Sequence, residues 1–344
     1  MKLSITPLIK TARNNPGSDV FTGAWFAGRL QAAIEKALKN HQKEKDLVEE
    51  IRIRINQPLI LRTGKTEYFI SPAGEDCHEQ ESIRITKEDI DTTLEKMTFS
   101  SLYAVEEELR QGFLTLPGGH RVGLAGEVLL EKGSVRSLKH ISALNIRIAH
   151  ELEGETKLLQ YLLDQEKDIC NTLIISPPRA GKTTVLRMLI KTLSNGLPAI
   201  QLAGQPVGVV DERGEIAGIW QGIPAFDLGI RTDILDRTPK ALGIAMLIRS
   251  MSPSVVAVDE LGAPEDVRSL EDAVRCGVKI IATAHAGSIE EIRERKQING
   301  LLEQKVFRRI VLLSRRKGPG TLEKVFDPLD NRAIYSAGGD QKCW

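Results

Sequence analysis

A stretch near the middle of the chain combines the residue types that bind phosphate groups. Residues 176–184 read SPPRAGKTT and lie between an apolar run and a segment of helical composition. They are close to the pattern G-x-x-x-x-G-K-[ST], in which backbone N–H groups at a helix N-terminus surround phosphates. In that chemistry Lys182 neutralises the β- and γ-phosphate oxygens, and the hydroxyl of Thr183 binds Mg²⁺. The stretch therefore predicts a site for a nucleoside triphosphate and Mg²⁺.

This phosphate loop departs from the pattern at one position. Ser176 stands where the first glycine is usual, and serine adopts fewer backbone conformations than glycine. The strand, the loop and the helix nevertheless fall in the order that phosphate binding needs. The residues predicted to bind the nucleotide are those of the whole loop: Ser176, Pro177, Pro178, Arg179, Ala180, Gly181, Lys182, Thr183 and Thr184.

Two later apolar runs end in carboxylates. VGVVDERGE places Asp211, Glu212 and Glu215 after one run, and VVAVDE places Asp259 and Glu260 after another. Ligands of open α/β sheets lie at the carboxyl ends of the strands, so these runs are expected to converge on one triphosphate. We predict that Asp259 holds Mg²⁺ through water and that Glu260 polarises the attacking water, with Glu212 the next candidate. The alternative is that the carboxylates cap the following helices.

A third apolar run, KIIATAH, brings His285 to the same edge of the predicted sheet. An imidazole at this place is suited to sense the γ-phosphate or to hold the attacking water. The alternative is a histidine that only stabilises the fold.

The periodicity of the sequence indicates the elements that position these residues. From residue 172 onward, continuously apolar strands alternate with helices, which is typical of a parallel sheet buried on both faces. Helices are expected from Lys182, near Ala241 and from Pro264, with further helices after His285. The sequence thus predicts an α/β fold with a central, mostly parallel sheet over residues 151–344.

The first 150 residues predict a smaller, mixed α/β domain. A helix is expected over about 24–40, alternating strands at EIRIRI, PLILR and TEYFI, and a long helical pattern over 86–111. Residues 112–149 are rich in glycine and predict a meander of strands. The polar stretch HELEGETK at 150–157 is the predicted boundary between domains 1–150 and 151–344.

Composition excludes several classes of protein. The chain has 344 residues, of which 41% are hydrophobic and 27% charged, so it is neither disordered nor collagen-like. A formal net charge of +1 and 4% aromatic residues give no basis for stable nucleic-acid binding. The four cysteines are far apart, which favours a reducing cytoplasm. No apolar run is long enough to predict a membrane span.

Three strings give the chain a specific resemblance. ELRQGFLTLPGGHRVGLAGEV at 108–128, VVDERGEIAG at 209–218 and VVAVDELG at 255–262 resemble the stage III sporulation protein AA family, of the type II/IV secretion ATPase superfamily. In that superfamily the loop at 176–184 is the Walker A loop, residues 211–215 are the Asp box, and residues 255–260 lie in the Walker B segment. Residues 283–285 are the His box. The resemblance runs from about residue 50 to 330 and leaves the residues before about 45 unplaced.

The resemblance implies a RecA-like P-loop ATPase that uses ATP and Mg²⁺ in the cytoplasm of the mother cell of a sporulating bacterium. It implies that the protein energises a membrane-embedded channel to the forespore and works as a homo-oligomer, expected to be a hexamer. Arg121 and Arg147 lie in strands similar to those from which secretion ATPases reach their nucleotide, so both are expected to place positive charge on the γ-phosphate. Either arginine can instead be solvated or salt-bridged.

Two other functions stay open. A nucleic-acid-associated ATPase would use the Arg-x-x-x-His spacing at Arg136 and His140, and a nucleotide-gated scaffold would bind ATP with little turnover. The basic pairs at 308–309 and 315–317 predict either peripheral contact with anionic lipid or a solvated strand edge that resists pairing.

Overall fold

The structure is a computed structural model that describes residues 9–10, 21, 23–41, 48–64, 66–98, 106–131, 133–149, 153–154, 158–220 and 222–337. The strands are β1 (Ile9–Lys10), β2 (Glu50–Arg54), β3 (Ile60–Thr63), β4 (Thr66–Ile70), β5 (Asp76–Cys77), β6 (Phe113–Leu116), β7 (His120–Glu131), β8 (Ser134–Arg147), β9 (Glu153–Gly154), β10 (Thr172–Ser176), β11 (Val207–Asp211), β12 (Thr232–Asp236), β13 (Val255–Val258), β14 (Lys279–His285), β15 (Arg309–Ser314), β16 (Thr321–Asp327) and β17 (Arg332–Ser336). The α-helices are α1 (Gly28–Asn40), α2 (Lys87–Met97), α3 (Glu106–Arg110), α4 (Leu159–Leu162), α5 (Lys182–Asn195), α6 (Lys240–Met251), α7 (Pro264–Arg275), α8 (Ile289–Glu294) and α9 (Lys296–Glu303).

These elements group into two compact units. The C-terminal unit contains the described residues of 1–13, 151–217 and 226–344, and the N-terminal unit contains those of 14–150 and 218–225. Each unit has its own sheet and its own hydrophobic core.

The C-terminal unit is built on a mixed sheet with the strand order β12-β11-β13-β14-β10-β15-β16-β17. Neighbouring strands from β12 to β15 run parallel, whereas β15, β16 and β17 run antiparallel. Strands β10, β11 and β13 are buried at every residue, because both faces of the sheet are covered. The carboxyl ends of β10, β11, β13 and β14 lie at one edge of the sheet, where the predicted site residues follow them.

Helix α6 lies close to β11 because two glycines leave room for it. A Cβ atom at Gly243 would lie 2.5 Å from Val210 Cγ1, and one at Gly208 would lie 2.9 Å from Leu247 Cδ1. A larger residue at either position would displace the helix from the strand that ends in Asp211.

The end of the chain corrects one prediction. Helices α8 and α9 follow β14 as expected, and the chain then forms the antiparallel strands β15, β16 and β17. Arg309 is buried between strands, where it donates to Asp327 Oδ2 at 2.7 Å and to the carbonyl of Tyr161 at 3.0 Å. Both interpretations of Arg309 are therefore wrong, because β15 is not an edge strand and the guanidinium cannot reach a lipid surface. Strand β12, at the opposite end of the sheet, was also not predicted.

The N-terminal unit has an antiparallel sheet with the order β5-β4-β3-β2-β8-β7-β6. Helix α1 contributes Leu30 and Ile34 to the core beneath this sheet. The helical pattern predicted over 86–111 corresponds to α2 and α3, with residues 99–105 outside the described part of the chain. Helix α2 begins with a capping box, in which Thr86 and Asp89 bond each other's backbone N–H groups.

Within the described part of the chain, no helix has both the length and the apolar character needed to cross a membrane.

Candidate nucleotide site

The phosphate loop connects β10 to α5 and has two residues in the left-handed conformation. Arg179 has φ +60° and Gly181, the residue before the first turn of α5, has φ +81°. Ser176 is still part of β10, where it pairs with His285, and it has no positive φ. The substitution of the first glycine is therefore compatible with this loop, because its backbone at residue 176 is one that serine adopts readily.

Lys182 is the first residue of α5 and is almost completely buried. Burial lowers the pKa of its ammonium group, although the nearby carboxylates of Asp259 and Glu260 oppose that shift. Its Nζ lies 3.4 Å from both ring nitrogens of His285. The lysine of the predicted Walker A loop and the predicted His box therefore meet at the sheet edge.

Thr183 and Asp259 form the pair expected to hold Mg²⁺. The Thr183 hydroxyl donates to Asp259 Oδ2 at 2.8 Å. The other carboxylate oxygen accepts from the hydroxyl of Thr283 and from the backbone N–H of Glu260, the latter at 3.0 Å. One hydroxyl and one oriented carboxylate fit Mg²⁺, which takes its other oxygen ligands from phosphates and water.

Glu260 follows β13 in the left-handed conformation, with φ +51°. Its N–H also lies 2.9 Å from Thr283 Oγ1, so its backbone is fixed against β14. Its Oε1 accepts from His285 Nε2 at 2.7 Å, and its Oε2 accepts from Arg213. Burial alone would raise the pKa of Glu260, but the His285 hydrogen bond and the charges of Arg213 and Lys182 outweigh burial and lower it. The carboxylate is therefore ionised at neutral pH.

Asp211, the first carboxylate of the predicted Asp box, stabilises its own loop. It is buried and accepts the backbone N–H groups of Glu215, Ile216 and Ala217 at 2.8–2.9 Å. Burial raises the pKa of Asp211 to about 6, with a smaller contribution from the charge of Asp236. Its oxygens are occupied by the loop, which matches the alternative of a capping carboxylate.

The same loop is held from its other side by α5. Arg187 donates to the backbone carbonyls of Glu215 and Ile216 at 2.8 and 2.9 Å. Its guanidinium carbon also lies 3.6 Å from the centroid of the Phe226 ring. Asp211 and Arg187 together fix residues 211–217, which we call the Asp-box loop.

Glu212 does not join the group around Glu260. Its carboxylate pairs with Lys240, a nearly buried residue at the start of α6. The structure therefore brings together Lys182, Thr183, Asp259, Glu260 and His285, and it directs Glu212 to a separate ion pair.

Two contacts of this site were not predicted. Arg213 of the Asp-box loop reaches Glu260, and the N–H of Gly320 donates to the carbonyl of Ala180 at 2.7 Å. The second contact ties the phosphate loop to the β15–β16 turn. The basic residues of that turn include Arg316, which pairs with Glu323 at 3.0 Å. In the sequence, only the position of Arg213 between Glu212 and Glu215 in VVDERGE indicated that it lies near the site.

Arg121 and Arg147 lie in the N-terminal unit, directly opposite each other on β7 and β8. Their neighbours Val122 and Ile146 are buried, so the two arginines share the other face of the sheet. The guanidinium carbon of Arg121 lies 3.9 Å from the centroid of the Phe113 ring. On its other side Arg147 pairs in register with Glu50 of β2.

The Arg-x-x-x-His spacing lies on the exposed part of β8. Arg136 is 3.7 Å from Glu131, and His140 is 3.8 Å from Glu127 on the neighbouring strand. Both residues of the spacing therefore lie beside carboxylates of β7.

Comparison with known proteins shows the family to which this chain is related. The family model described as Sporulation stage III, protein AA matches residues 27–333. The chain belongs to this family. Its match begins before residue 45, so the predicted resemblance is confirmed and extends further towards the N-terminus than expected. The stage III sporulation protein AA of Bacillus subtilis (strain 168) is 42% identical over 317 residues, which cover 91% of this chain and 98% of that protein.

Solved structures share the fold. The X-ray structure of the ATPase DotB of Legionella pneumophila has a TM-score of 0.54 at 13% identity and covers 89% of this chain and 79% of its own. The ATPase DotB of Yersinia pseudotuberculosis has a TM-score of 0.56 at 11% identity and covers 95% and 85%. The predicted α/β fold with a RecA-like P-loop unit is confirmed.

Proposed function

We propose that this member of the stage III sporulation protein AA family hydrolyses ATP to ADP and phosphate. The observation that carries the proposal is the convergence of Lys182, the Thr183–Asp259 pair and the Glu260–His285 pair at one sheet edge. Support comes from the fold shared with proteins that are named ATPases. A site built only for binding has no need of an ionised carboxylate oriented beside the phosphate loop.

In the proposed reaction, Lys182 and the N-terminus of α5 bind the β- and γ-phosphates. Thr183 and Asp259 would hold Mg²⁺, which would neutralise phosphate charge. The oxygen of a water molecule forms a bond to the γ-phosphorus while its proton passes to Glu260. The bond between the γ-phosphorus and the bridging oxygen breaks, and its electron pair stays on ADP. His285 keeps the carboxylate of Glu260 oriented for the proton.

We propose that the N-terminal unit contributes Arg121 and Arg147 to turnover. The two arginines face the same side of one sheet, and an adjacent pair of guanidinium groups suits a phosphate anion. Replacement of either residue by alanine is expected to lower the turnover number more than the affinity for ATP.

We propose further that hydrolysis energises a membrane-embedded channel between mother cell and forespore, with the protein acting as a homo-oligomer on the cytoplasmic side of the mother cell. Support comes from membership of a sporulation family and from the fold shared with DotB. A hexamer is the expected state, and its membrane association is expected to depend on partner proteins.

The proposal is tested by measuring phosphate release and nucleotide affinity for the full chain and for Lys182→Ala. We expect the wild type to release phosphate from MgATP, and the variant to lose at least about a hundredfold in affinity because a charge-assisted contact to the phosphates is gone. Lys296→Ala, at an exposed position of α9, is the control and is expected to behave like the wild type. Unchanged ATP affinity in Lys182→Ala would contradict the site.

A further inference from the structure

The Asp-box loop places the guanidinium of Arg213 against the proposed base, Glu260. Arg213 donates to Glu260 Oε2, while His285 occupies Oε1. With both oxygens accepting hydrogen bonds from cationic or imidazole donors, the carboxylate has its strongest lone-pair directions engaged. Each oxygen keeps a further lone pair, but a guanidinium on Oε2 makes that oxygen a weaker proton acceptor, so departure of Arg213 favours transfer of the water's proton to Glu260.

Of the two partners, Arg213 is the one that can leave at low cost. Its side chain is 59% exposed, compared with 40% for His285. Ion pairs of this exposed kind contribute about 0–1 kcal/mol, so a stronger anion nearby competes with the pair successfully. His285 is held against Lys182 at the end of β14 and has less freedom to move.

The backbone beneath Arg213 is fixed even though its side chain is exposed. Asp211 binds three N–H groups of the loop, and Arg187 binds two of its carbonyls. The guanidinium therefore moves by side-chain rotation about a fixed point, which costs far less than rearrangement of the loop. The charge of Arg213 already reaches the phosphate loop, because it contributes to lowering the pKa of Lys182.

We propose that Arg213 senses the terminal phosphate of the bound nucleotide: it leaves Glu260 for the γ-phosphate of ATP, and Oε2 then becomes a stronger acceptor for the proton of the attacking water. This inference rests on the proposed function, and it adds to it a control on when the base is available. ADP has no γ-phosphate, so Arg213 stays on Glu260 when ADP is bound. The pair thus couples release of the base to the presence of the triphosphate.

The test compares Arg213→Gln and Arg213→Lys with Arg268→Gln, an exposed arginine of α7 that serves as the control. Equilibrium binding of ADP and of a non-hydrolysable ATP analogue gives their affinity ratio, and phosphate release gives kcat and kcat/KM. Thermal melts establish that each variant is folded.

For Arg213→Gln we expect the preference for the ATP analogue over ADP to fall roughly tenfold to hundredfold, with ADP affinity unchanged, because a charged hydrogen bond to the γ-phosphate is lost. Arg213→Lys keeps the charge and is expected to restore part of the preference.

A merely structural role for Arg213 would leave the affinity ratio as in the wild type, and that result would overturn the inference. Failure of the proposed function has a different signature, because the wild type would then release no phosphate. The affinity ratio would still decide the role of Arg213. Absence of any nucleotide binding by the wild type would overturn both.

Discussion

Two loops of the C-terminal unit follow apolar strands of the same sheet and begin with a carboxylate, yet they use it in opposite ways. In the loop after β11, Asp211 is buried and binds three backbone N–H groups. In the loop after β13, Asp259 and Glu260 bind the side chains of Thr183, His285 and Arg213. The first loop uses its carboxylate to fix a backbone, and the second presents carboxylates to a ligand.

The difference shows what distinguishes a structural carboxylate from a reactive one. Asp211 turns inward because the chain after it curves back and offers unpaired N–H groups, and burial then raises its pKa. Glu260 has a left-handed backbone that directs its carboxylate towards cations, and those cations lower its pKa. Both groups are carboxylates, and the difference in their pKa shifts comes from the partners that surround each of them.

The largest expected effect on stability comes from Asp211→Ala. The substitution leaves three N–H groups without their acceptor, two of them in buried residues, so we expect a loss of about 2–4 kcal/mol in the free energy of unfolding. Denaturant unfolding measures the loss. Asp227→Ala removes an exposed aspartate with a single loop N–H and a lysine partner, and it is expected to cost less than about 1 kcal/mol. Equal losses for the two variants would remove the contrast between the loops.

The pH dependence of stability tests the same contrast between the two loops. The pKa of Asp211 is about 6 in the folded chain, compared with an ordinary value of 3.8 for an aspartate in an unfolded chain. Between pH 3.8 and about pH 6 the folded chain therefore binds more protons than the unfolded chain. Stability from this group therefore rises as the pH falls, by about 1 kcal/mol between pH 7 and pH 5. The check is the difference in unfolding free energy between the wild type and Asp211→Asn, which does not titrate. A difference that is constant with pH would contradict the burial of an ionisable group at this position.

The smallest expected effect belongs to Glu212→Gln. Because the Glu212 carboxylate pairs with Lys240, away from Glu260, we expect phosphate release within about threefold of the wild type and a small loss of stability. Steady-state phosphate release measures the first quantity. A loss of tenfold or more would assign Glu212 to the reaction and make both loops catalytic.

Local patterns predicted much of the fold and of the candidate site. The continuously apolar strands, the glycine and lysine at the start of α5 and the carboxylates after β13 are each recognisable from a few neighbouring residues, and the structure has the elements they indicate. Ser176 was unexpected only as a residue type, since position 176 is extended and needs no glycine.

Contacts between distant residues were not predictable in the same way. The Arg309–Asp327 pair joins β15 to β16, so nothing near Arg309 distinguished a buried arginine from a solvated one. The role of Arg213 depends on the curvature of the Asp-box loop, which Asp211 and Arg187 impose from separate elements. Charge and spacing identify candidate residues, but their partners decide which candidates reach the site.

Single-turnover phosphate release by Glu260→Gln tests the central claim most directly. The glutamine side chain keeps the shape of the carboxylate but cannot accept a proton, so nucleotide affinity is expected to stay within about threefold while the rate falls at least about a hundredfold. Glu265→Gln, at an exposed position near the start of α7, is the matched control and is expected to keep the wild-type rate. Phosphate release by Glu260→Gln at the wild-type rate would contradict the claim that the loop after β13 supplies the base.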